Sequence, residues 1–252
     1  MTDIILCGCN GKMGQVISRC VAERDDCRIV AGIDITGVQK NNYPVFSSPD
    51  ALSANGDVVI DFSHPSVLTS LLAMAKEKKL PVVLSTTGYS QDQIAEIKDA
   101  SENIPVFFSG NMSLGINLLI SLAKRAAVVL GSEFDIEIIE KHHNQKVDAP
   151  SGTAYMLANG ISEVLPEEPA YIYDRHAVRK KRSKNEIGMH SVRGGTIVGE
   201  HEVIFAGHDE VITLSHSAQS KEVFAVGSIN AALFLAGKPS GMYQMDDLLA
   251  QR

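Results

Sequence analysis

The sequence predicts an α/β fold in which an N-terminal, doubly wound parallel sheet is interrupted by an inserted α+β domain. In the first half of the chain, short β-branched runs alternate with segments of helical spacing, which is typical of a parallel sheet covered by helices on both faces. After Asn111 this alternation gives way to a long helical segment and then to closely spaced strands, which favours antiparallel or mixed pairing.

Five strands are predicted in the first half, each a short run of apolar residues. They cover Asp3–Cys7, Arg28–Ile33, Asp57–Phe62, Pro81–Ser85 and Pro105–Phe108. Helical spacing predicts the helices between them, over Lys12–Glu23, Ser66–Lys79 and Gln91–Ser101. Right-handed crossovers between successive strands would make this sheet doubly wound.

The second half begins with helical spacing over Leu114–Leu130. Phe134–Glu140 then alternates like a half-buried strand, and a helix is predicted after Ser151. Further strands are predicted at Ile187–Val192, Gly199–Ala206 and Val211–His216, and a helical pattern returns at Val223–Leu235. We therefore expect residues 1–113 and 221–252 to form one domain, and residues 114–220 to form the insertion.

Composition and charge narrow the classes of function. The chain has 252 residues, of which 44% are hydrophobic and 21% are charged, the balance of a globular protein. Its net charge of −7 argues against a general nucleic-acid binder but is compatible with an anionic small substrate. We expect no membrane partner, because no apolar run approaches the roughly 18 residues of a membrane span and no secretory pattern is visible.

The four cysteines, Cys7, Cys9, Cys20 and Cys27, all lie within the first predicted βαβ unit. No second pair of Cys or His follows at the spacing of a zinc site, so we expect no metal. Small buried thiols are typical of proteins from a reducing compartment, which predicts a cytoplasmic location.

A glycine pattern, G-x-x-G-x-x-G, spans Gly8 to Gly14 directly after the first predicted strand. Glycine permits a tight turn and a close approach of backbone to a pyrophosphate, which the following helix start then holds. This context predicts a Rossmann-like dinucleotide site. The expected cofactor-binding residues of the turn are Gly8, Cys9, Asn10, Gly11, Lys12 and Met13.

Asp34 follows the second strand, twenty residues after Gly14, where a carboxylate would accept hydrogen bonds from the adenosine ribose. A carboxylate repels the 2′-phosphate of NADPH, and Ile35 rather than a basic residue comes next. We therefore expect NADH and/or NADPH as cofactor, with NADH used at least as well.

Two later loops follow the fourth and fifth strands, at the edge of an open sheet where ligands bind. Their small and hydroxyl residues suit the nicotinamide ribose and carboxamide. The expected cofactor-binding residues are Ser85, Thr86, Thr87, Ser109, Gly110, Asn111 and Met112.

The chemistry is predicted to lie where the strand Phe134–Glu140 ends. Two adjacent histidines, His142 and His143, are followed three residues later by Lys146. His or Lys can deliver a proton to a substrate that receives a hydride. Ser151 is predicted to cap the next helix, which Gly152 and Thr153 open and whose N-terminus favours a carboxylate. Cationic groups facing a helix start describe a pocket for a small dicarboxylate.

Glu140 through Ala154 resembles the signature E-x-H-H-x-x-K-x-D-A-P-S-G-T-A of the 4-hydroxy-tetrahydrodipicolinate reductase (dihydrodipicolinate reductase) family, and matches it throughout. The resemblance extends from the glycine turn to the segment 237–241. It implies reduction of 4-hydroxy-tetrahydrodipicolinate, via dihydrodipicolinate, to tetrahydrodipicolinate with NAD(P)H in the diaminopimelate route of lysine biosynthesis. It also implies a homotetramer built through the insertion.

The resemblance further implies residue roles. His142 corresponds to the proton donor or acceptor and Lys146 to a second proton donor, and which of the two gives the proton stays open. His143, Gly152 and Thr153 correspond to substrate-binding positions. The glycine turn, Asp34 and both later loops correspond to cofactor positions, and Lys221 and Phe224 to further residues near the cofactor. NADPH-preferring members tend to carry arginine where this chain has Ile35 and His64.

Two other functions are considered. An amino-acid or semialdehyde dehydrogenase would need a thiol or a different base in the second domain, where this chain has no cysteine. A non-catalytic NAD-sensing module would leave His142 and Lys146 inert. The basic run Arg179–Lys184 is either a solvated loop or a mobile loop near an anionic ligand. Arg193-Gly194-Gly195 resembles a loop next to the substrate in this family, but a turn is the preferred prediction. His176, His190, His201, His208 and His216 are assigned to structure or surface.

Overall fold

The computed structural model describes residues 1–251. It divides into two compact units, one containing residues 1–114 and the C-terminal segment from Lys221, the other Gly115–Ser220. The elements along the chain are β1 (Thr2–Cys7), α1 (Lys12–Ala22), β2 (Cys27–Ile33), β3 (Val45–Phe46), β4 (Val58–Asp61), α2 (Leu68–Lys78), β5 (Val82–Leu84), α3 (Gln91–Ser101), β6 (Pro105–Phe108), α4 (Leu114–Leu130), β7 (Asp135–His142), α5 (Gly152–Ser162), β8 (Ala170–Ile172), β9 (Glu186–Arg193), β10 (Gly199–Ala206), β11 (Val211–Ala218), α6 (Glu222–Leu235), β12 (Gly241–Tyr243) and α7 (Met245–Leu249).

The first unit is a seven-stranded parallel sheet with the order β12-β6-β5-β4-β1-β2-β3. Successive residues of β1 point to opposite faces, so Ile4 and Leu6 pack in one core while Ile5 and Cys7 pack in the other. The first core includes residues of α1, α6 and α7, and the second includes residues of α2 and α3. This arrangement confirms the expected α/β class.

Three short elements of the first unit were not predicted. The strand β3 has two residues, β12 has three and the helix α7 has five, too few for a hydrophobic period. The strand β12 pairs with β6, so the C-terminal segment contributes a strand to the sheet as well as the expected helix.

The second unit is a mixed five-stranded sheet with the order β11-β10-β7-β9-β8. The strands β7, β8 and β9 run parallel, whereas β10 pairs antiparallel with both β7 and β11. Its core combines strand residues such as Ile138 and Val203 with residues of α4 and α5. Mixed pairing was expected, and β8, only three residues long, was not.

The helix α5 begins where the sequence places a cap. The Oγ of Ser151 accepts a hydrogen bond from the N–H of Ala154 at 3.1 Å, so one of the N–H groups that lack a helical partner is satisfied. This side-chain bond fixes the start of α5 at Gly152.

The expectation that no apolar segment is long enough to span a membrane is wrong. By length and composition the segment Leu114–Glu133, which contains α4, could cross a membrane, with a mean hydropathy of 1.6. Apolar core helices of soluble proteins pass the same test. In this chain Ile116 and Leu119 of α4 are buried in the core of the second unit, while Leu122 and Val129 on the same helix are exposed.

Candidate active site

A glycine-rich turn joins β1 to α1 at the carboxyl edge of the first sheet. Gly8 has a φ of +78°, and a Cβ there would collide with the backbone of Phe62. A Cβ at Gly14 would collide with the carbonyl oxygen of Gly8 and with Cys9. Gly11 precedes the first turn of α1, where N–H groups and the helix dipole favour an anion. The turn is therefore a cradle that fits the pyrophosphate of a dinucleotide.

Asp34 follows β2 and is hydrogen-bonded to this turn. Its Oδ2 accepts from the N–H of Asn10 at 3.1 Å, and its Oδ1 accepts from the N–H and the hydroxyl of Thr36 at 3.0 and 2.8 Å. Burial acts to raise the pKa of Asp34, but the hydrogen bonds from Thr36 and Asn10 outweigh it and lower the pKa. The carboxylate is thus ionised, and Oδ2 keeps acceptor capacity for a ribose hydroxyl.

A cavity of about 600 Å³ lies at this edge of the first unit, within the usual size range of a small-molecule site. Gly8, Gly11 and Asp34 line it together with Ile35 and His64. None of the described residues that line it is Lys or Arg. The cavity therefore fits a dinucleotide but offers no permanent cation for a 2′-phosphate.

The other predicted residues of the turn present different groups. The side chain of Cys9 is buried in the core, so only its backbone is available to a ligand. Lys12 is exposed and Met13 is half-buried in the first turn of α1. The amide of Asn10 donates to Thr36 Oγ1 at 2.9 Å, which ties the turn to the loop after β2.

The loop after β5 is organised by a buried carboxylate that the sequence reasoning missed. Asp61, the last residue of β4, accepts hydrogen bonds from the hydroxyls of Ser63, Thr86 and Tyr89 at 2.5, 2.7 and 3.2 Å. The hydroxyl of Ser85 is buried without a hydrogen-bond partner among the described residues, so it is available to a cofactor. A polar residue at the end of a predicted strand was the signal for Asp61.

The remaining loop residues are placed as follows. Thr87 and Gly110 are exposed. Ser109 Oγ donates to the carbonyl oxygen of Asn111 at 2.9 Å, which closes a turn after β6. Met112 is buried in the first unit's core, so its side chain is not available to a ligand.

In the second unit, β7 carries Glu140 and His142 on one face, because alternate residues of a strand share a face. The neighbouring strands place His201 opposite Glu140 and Arg193 opposite His142. His142 Nδ1 lies 2.6 Å from Glu140 Oε2, and the guanidinium of Arg193 contacts both carboxylate oxygens at 2.7 and 2.8 Å. The N–H of Ser151 donates to Oε1 at 3.1 Å.

The charge of Glu140 determines which ring nitrogen of His142 donates a hydrogen bond to it. Burial acts to raise the pKa of Glu140, but hydrogen bonds from Arg193, His142 and Ser191 lower it to about 2. An ionised carboxylate only accepts, so Nδ1 of His142 must donate. This leaves Nε2 to exchange a proton. Gly199 keeps space beside it, since a Cβ there would lie 3.2 Å from Nε2.

His201 is a buried member of the same cluster. The Oγ of Ser151, which accepts from the N–H of Ala154, lies within hydrogen-bonding distance of His201 Nε2, at 2.9 Å. The ring centroids of His201 and His142 are 5.2 Å apart in an edge-to-face arrangement. Burial, followed by the nearby His142, lowers the pKa of His201 to about 4. His201 is therefore neutral at neutral pH, and it lies in the same cluster as His142.

The other predicted residues of this segment lie close in sequence to the start of α5. The Nζ of Lys146 contacts the carboxylate of Asp148 at 2.7 Å. His143 is half-buried, and its carbonyl oxygen accepts from the N–H of Lys146 at 3.1 Å. Gly152 and Thr153 are the first two residues of α5, at the positive end of its dipole.

Arg193 is the last residue of β9, so the prediction of a turn is wrong for Arg193, and a turn follows at Gly195. The N–H of Gly194 donates to the carbonyl oxygen of His142 at 2.9 Å, and the carbonyl oxygen of Gly195 accepts from Asn144 at 3.2 Å. The turn thus fixes the backbone around the histidines while Arg193 holds the carboxylate.

In the basic run Arg179–Lys184, the residues Arg179, Lys181 and Lys184 are exposed, as in a solvated loop, whereas Arg182 differs from both interpretations. Arg182 forms ion pairs with Asp135 at 3.0 Å and with Glu137 at 3.1 Å, and Arg175 also contacts Glu137 at 2.7 Å. The charge of Arg182 is therefore neutralised by residues of β7 and is not offered to an anionic ligand.

The cysteines are free thiols, and Cys7, Cys9 and Cys27 are buried. Burial raises the pKa of both Cys9 and Cys27 to about 11, so these thiols stay protonated at neutral pH. Residues 1–251 contain no group of three His, Cys, Asp or Glu side chains placed to hold a metal ion.

Two family profiles cover the chain. The profile described as "Dihydrodipicolinate reductase, N-terminus" matches residues 2–112, and the one described as "Dihydrodipicolinate reductase, C-terminus" matches residues 115–249. The chain belongs to the dihydrodipicolinate reductase family. The resemblance of Glu140–Ala154 to the signature of this family is thereby confirmed.

Relatives of this dihydrodipicolinate reductase family member match it over nearly its full length. The 4-hydroxy-tetrahydrodipicolinate reductase of Clostridium tetani is 53% identical over 99% of this chain and 97% of its own. That of Caldanaerobacter subterraneus subsp. tengcongensis is 52% identical over 99% and 98%. The dipicolinate-bound dihydrodipicolinate reductase of Paenisporosarcina sp. TG-14 is 26% identical, with a TM-score of 0.81 over 97% of both chains.

The buried state of His201 predicts how stability depends on pH. Its pKa is lowered from 6.5 to about 4 on folding, so the unfolded chain binds more protons between these values. This contribution to stability is complete above about pH 6.5 and is lost as the pH falls towards 4. From pH 7 to pH 5 the loss is about 2 kcal/mol.

Urea unfolding at pH 7 and pH 5 measures this loss. We expect His201→Gln to remove about 2 kcal/mol of the pH dependence seen in the unaltered protein. His208→Gln, at an exposed position, is the matched control and should leave the dependence unchanged. An equal dependence in all three proteins would contradict the assignment.

Proposed function

We propose that this chain reduces 4-hydroxy-tetrahydrodipicolinate, via dihydrodipicolinate, to tetrahydrodipicolinate with NAD(P)H, in the diaminopimelate route of lysine biosynthesis. The observation that carries the proposal is the ordered cluster of Glu140, His142 and Arg193 in a chain of the dihydrodipicolinate reductase family. Relatives about half identical to it are named for this reduction.

The substrate is a dicarboxylate, and the second unit supplies the groups that suit it. A solved relative, the Paenisporosarcina reductase, has dipicolinate bound. We assign the carboxylates to His143, to Lys146 and to the helix start at Gly152 and Thr153. The ion pair between Lys146 and Asp148 holds the ammonium group ready, and a substrate carboxylate replaces Asp148 as its partner.

The net reduction adds one hydride and one proton to the conjugated cyclic imine that remains after the substrate loses water. A dinucleotide bound at the glycine turn would supply the hydride. His142 supplies the proton from Nε2, because its Nδ1 proton is committed to Glu140. Lys146 is the second candidate donor. The glycine turn, Asp34 and the loops after β5 and β6 bind and orient the dinucleotide.

Substitution of the two proton donors tests the activity. The unaltered protein should oxidise NADH when supplied with the freshly formed condensation product of pyruvate and aspartate semialdehyde. We expect His142→Gln to lower kcat by roughly 10²-fold or more with little change in KM, as for a lost general acid. Lys146→Ala should mainly raise KM if Lys146 binds a carboxylate.

Lys181→Ala, in the basic run, serves as the control and should keep normal kinetics. Absence of turnover by the folded, unaltered protein would refute the proposed reaction.

We propose that NADH is used at least as well as NADPH. The support is an ionised carboxylate at Asp34 and a cavity lined by Ile35 and His64 without a Lys or Arg side chain among its described residues. A 2′-phosphate would meet the negative charge of Asp34, and the nearby Lys40, which does not line the cavity, is directed to the carbonyl oxygen of Asn10 at 3.5 Å.

Cofactor titrations test this preference. The kcat/KM for NADH should equal or exceed that for NADPH. Ile35→Arg should raise kcat/KM for NADPH by about tenfold, equivalent to roughly 1.4 kcal/mol, with less effect on NADH. Ile35→Gln is the uncharged control. Strict NADPH dependence of the unaltered protein would overturn the assignment.

We propose a homotetramer assembled through residues 115–220, in the cytoplasm. The strand β11 is an edge of its sheet, and Val211 and Ile212 on it are exposed, as are Leu122 and Val129 on α4. An uncovered edge with apolar side chains favours pairing with another chain. The free thiols agree with a reducing compartment.

Light scattering coupled to size exclusion measures the assembly. We expect a mass four times the 27.2 kDa of one chain. Ile212→Lys should lower that mass, whereas Val38→Lys, exposed on the first unit, should not. A monomeric unaltered protein would refute the assembly.

A further inference from the structure

We propose that Glu140 is a positioning residue for proton transfer: together with Arg193 it holds His142 with the proton on Nδ1 and ties it to the start of α5. This inference rests on the proposed function for its kinetic consequence only. The protonation state of His142 is a property of the folded chain, so it can be examined without turnover.

The hydrogen bonds of Glu140 leave its carboxylate no freedom. Oε1 accepts from the N–H of Ser151 and from Arg193 at 3.1 and 2.7 Å. Oε2 accepts from Arg193 and from His142 at 2.8 and 2.6 Å. The side chain is 1% exposed. Because Arg193 and the N–H of Ser151 can only donate, the group is a carboxylate, and His142 must then present its N–H to it.

Two further features of the structure determine the surroundings of His142 Nε2. The backbone of His142 is held by the N–H of Gly194 at 2.9 Å. Gly199, on β10, leaves space beside Nε2 that a side chain would fill. The imidazole thus has one nitrogen locked inward and the other next to open space, which is the orientation that a proton carrier needs.

Glu140 also links the proton carrier to the helix that we assign to substrate carboxylates. Its Oε1 binds the backbone N–H of Ser151, while the hydroxyl of Ser151 caps α5. One carboxylate therefore fixes both His142 and the residue before Gly152. A shift of this carboxylate would move the proton carrier and the helix start together.

The charged and titratable groups that face His142 come from three strands and a loop. Glu140 on β7 contacts His142, Arg193 on β9 contacts Glu140, and the ring of His201 on β10 lies 5.2 Å from that of His142, while Lys146, in the loop that follows β7, acts electrostatically on His201. His201 is neutral at neutral pH, since burial lowers its pKa to about 4. Among these groups Glu140 is therefore the one negative charge, and its Oε2 lies 2.6 Å from Nδ1 of His142.

Glu140→Gln is the decisive substitution because it keeps the shape of the side chain and replaces one acceptor oxygen with an NH2 donor. A glutamine has one oxygen, whereas Arg193 and His142 both require acceptors. Its amide NH2 must face one of them. The neutral imidazole of His142 then no longer has a carboxylate oxygen that favours the proton on Nδ1.

The kinetic arm compares Glu140→Gln with the unaltered enzyme. We expect kcat to fall by roughly 10²-fold, with KM for the substrate changed less than about threefold. The solvent deuterium isotope effect on kcat should increase, because proton transfer becomes slower relative to hydride transfer.

Glu137→Gln is the matched control. Glu137 lies on the same strand and likewise contacts arginines and a histidine, with His190 Nε2 at 2.7 Å, but it does not contact His142. We expect it to match Glu140→Gln in thermal stability loss while keeping kcat and the isotope effect. If both variants lose kcat equally, Glu140 is merely structural and the proposal is wrong.

Nitrogen NMR of protein labelled with 15N-histidine examines the tautomer directly. At a pH where His142 is neutral, its signals, identified by their loss in His142→Gln, should show Nδ1 protonated and Nε2 unprotonated. Glu140→Gln should shift them towards the other tautomer, and Glu137→Gln should not. Protonation on Nε2 in the unaltered protein would overturn the proposal, even if the reductase activity itself is absent.

Discussion

The buried ion pair between Glu140 and Arg193 is the interaction on which the second unit depends. A carboxylate without access to water costs several kcal/mol unless its partners compensate, and loss of one partner costs roughly 3–5 kcal/mol. Here both oxygens are saturated by Arg193, His142 and the backbone of Ser151. The same set of hydrogen bonds therefore stabilises the ion pair and orients the histidine.

The two units form their predicted sites by different physical means. In the first, glycines such as Gly8 and Gly14 bring backbone close to backbone, so the nucleotide cradle consists mainly of N–H groups and a helix end. In the second, side-chain charges are brought together and desolvated. A backbone cradle tolerates little change in side-chain size, whereas the charge cluster tolerates little change in charge.

Much of both sites could be predicted from the sequence, because the signals were local. The glycine turn, the carboxylate at Asp34 and the cap at Ser151 each depend on residues close together in the chain and on the period of the flanking element. Asp34 in particular was predicted as an acceptor, and its hydrogen bonds to Asn10 and Thr36 show the geometry.

What escaped prediction is non-local. Arg193 and His201 lie 53 and 61 residues beyond Glu140, and only the pairing of β9 and β10 with β7 brings them to it. Such pairing leaves no mark in one strand's pattern, so Arg193 was interpreted as part of a turn. The strands β3 and β12 escaped for another reason, since their conformation comes from their neighbours.

The parallel pairing of β7 with β9 gives the Glu140–Arg193 pair a second role. Parallel neighbours have no tight hairpin to set their alignment, and a slip by one residue reverses the face of every side chain. With such a slip Arg193 would face away, and Glu140 would be buried as an uncompensated charge. The ion pair is therefore compatible with only one register of the two strands. The crossover from β7 to β9, which contains α5 and β8, must reach this register before Glu140 can be buried.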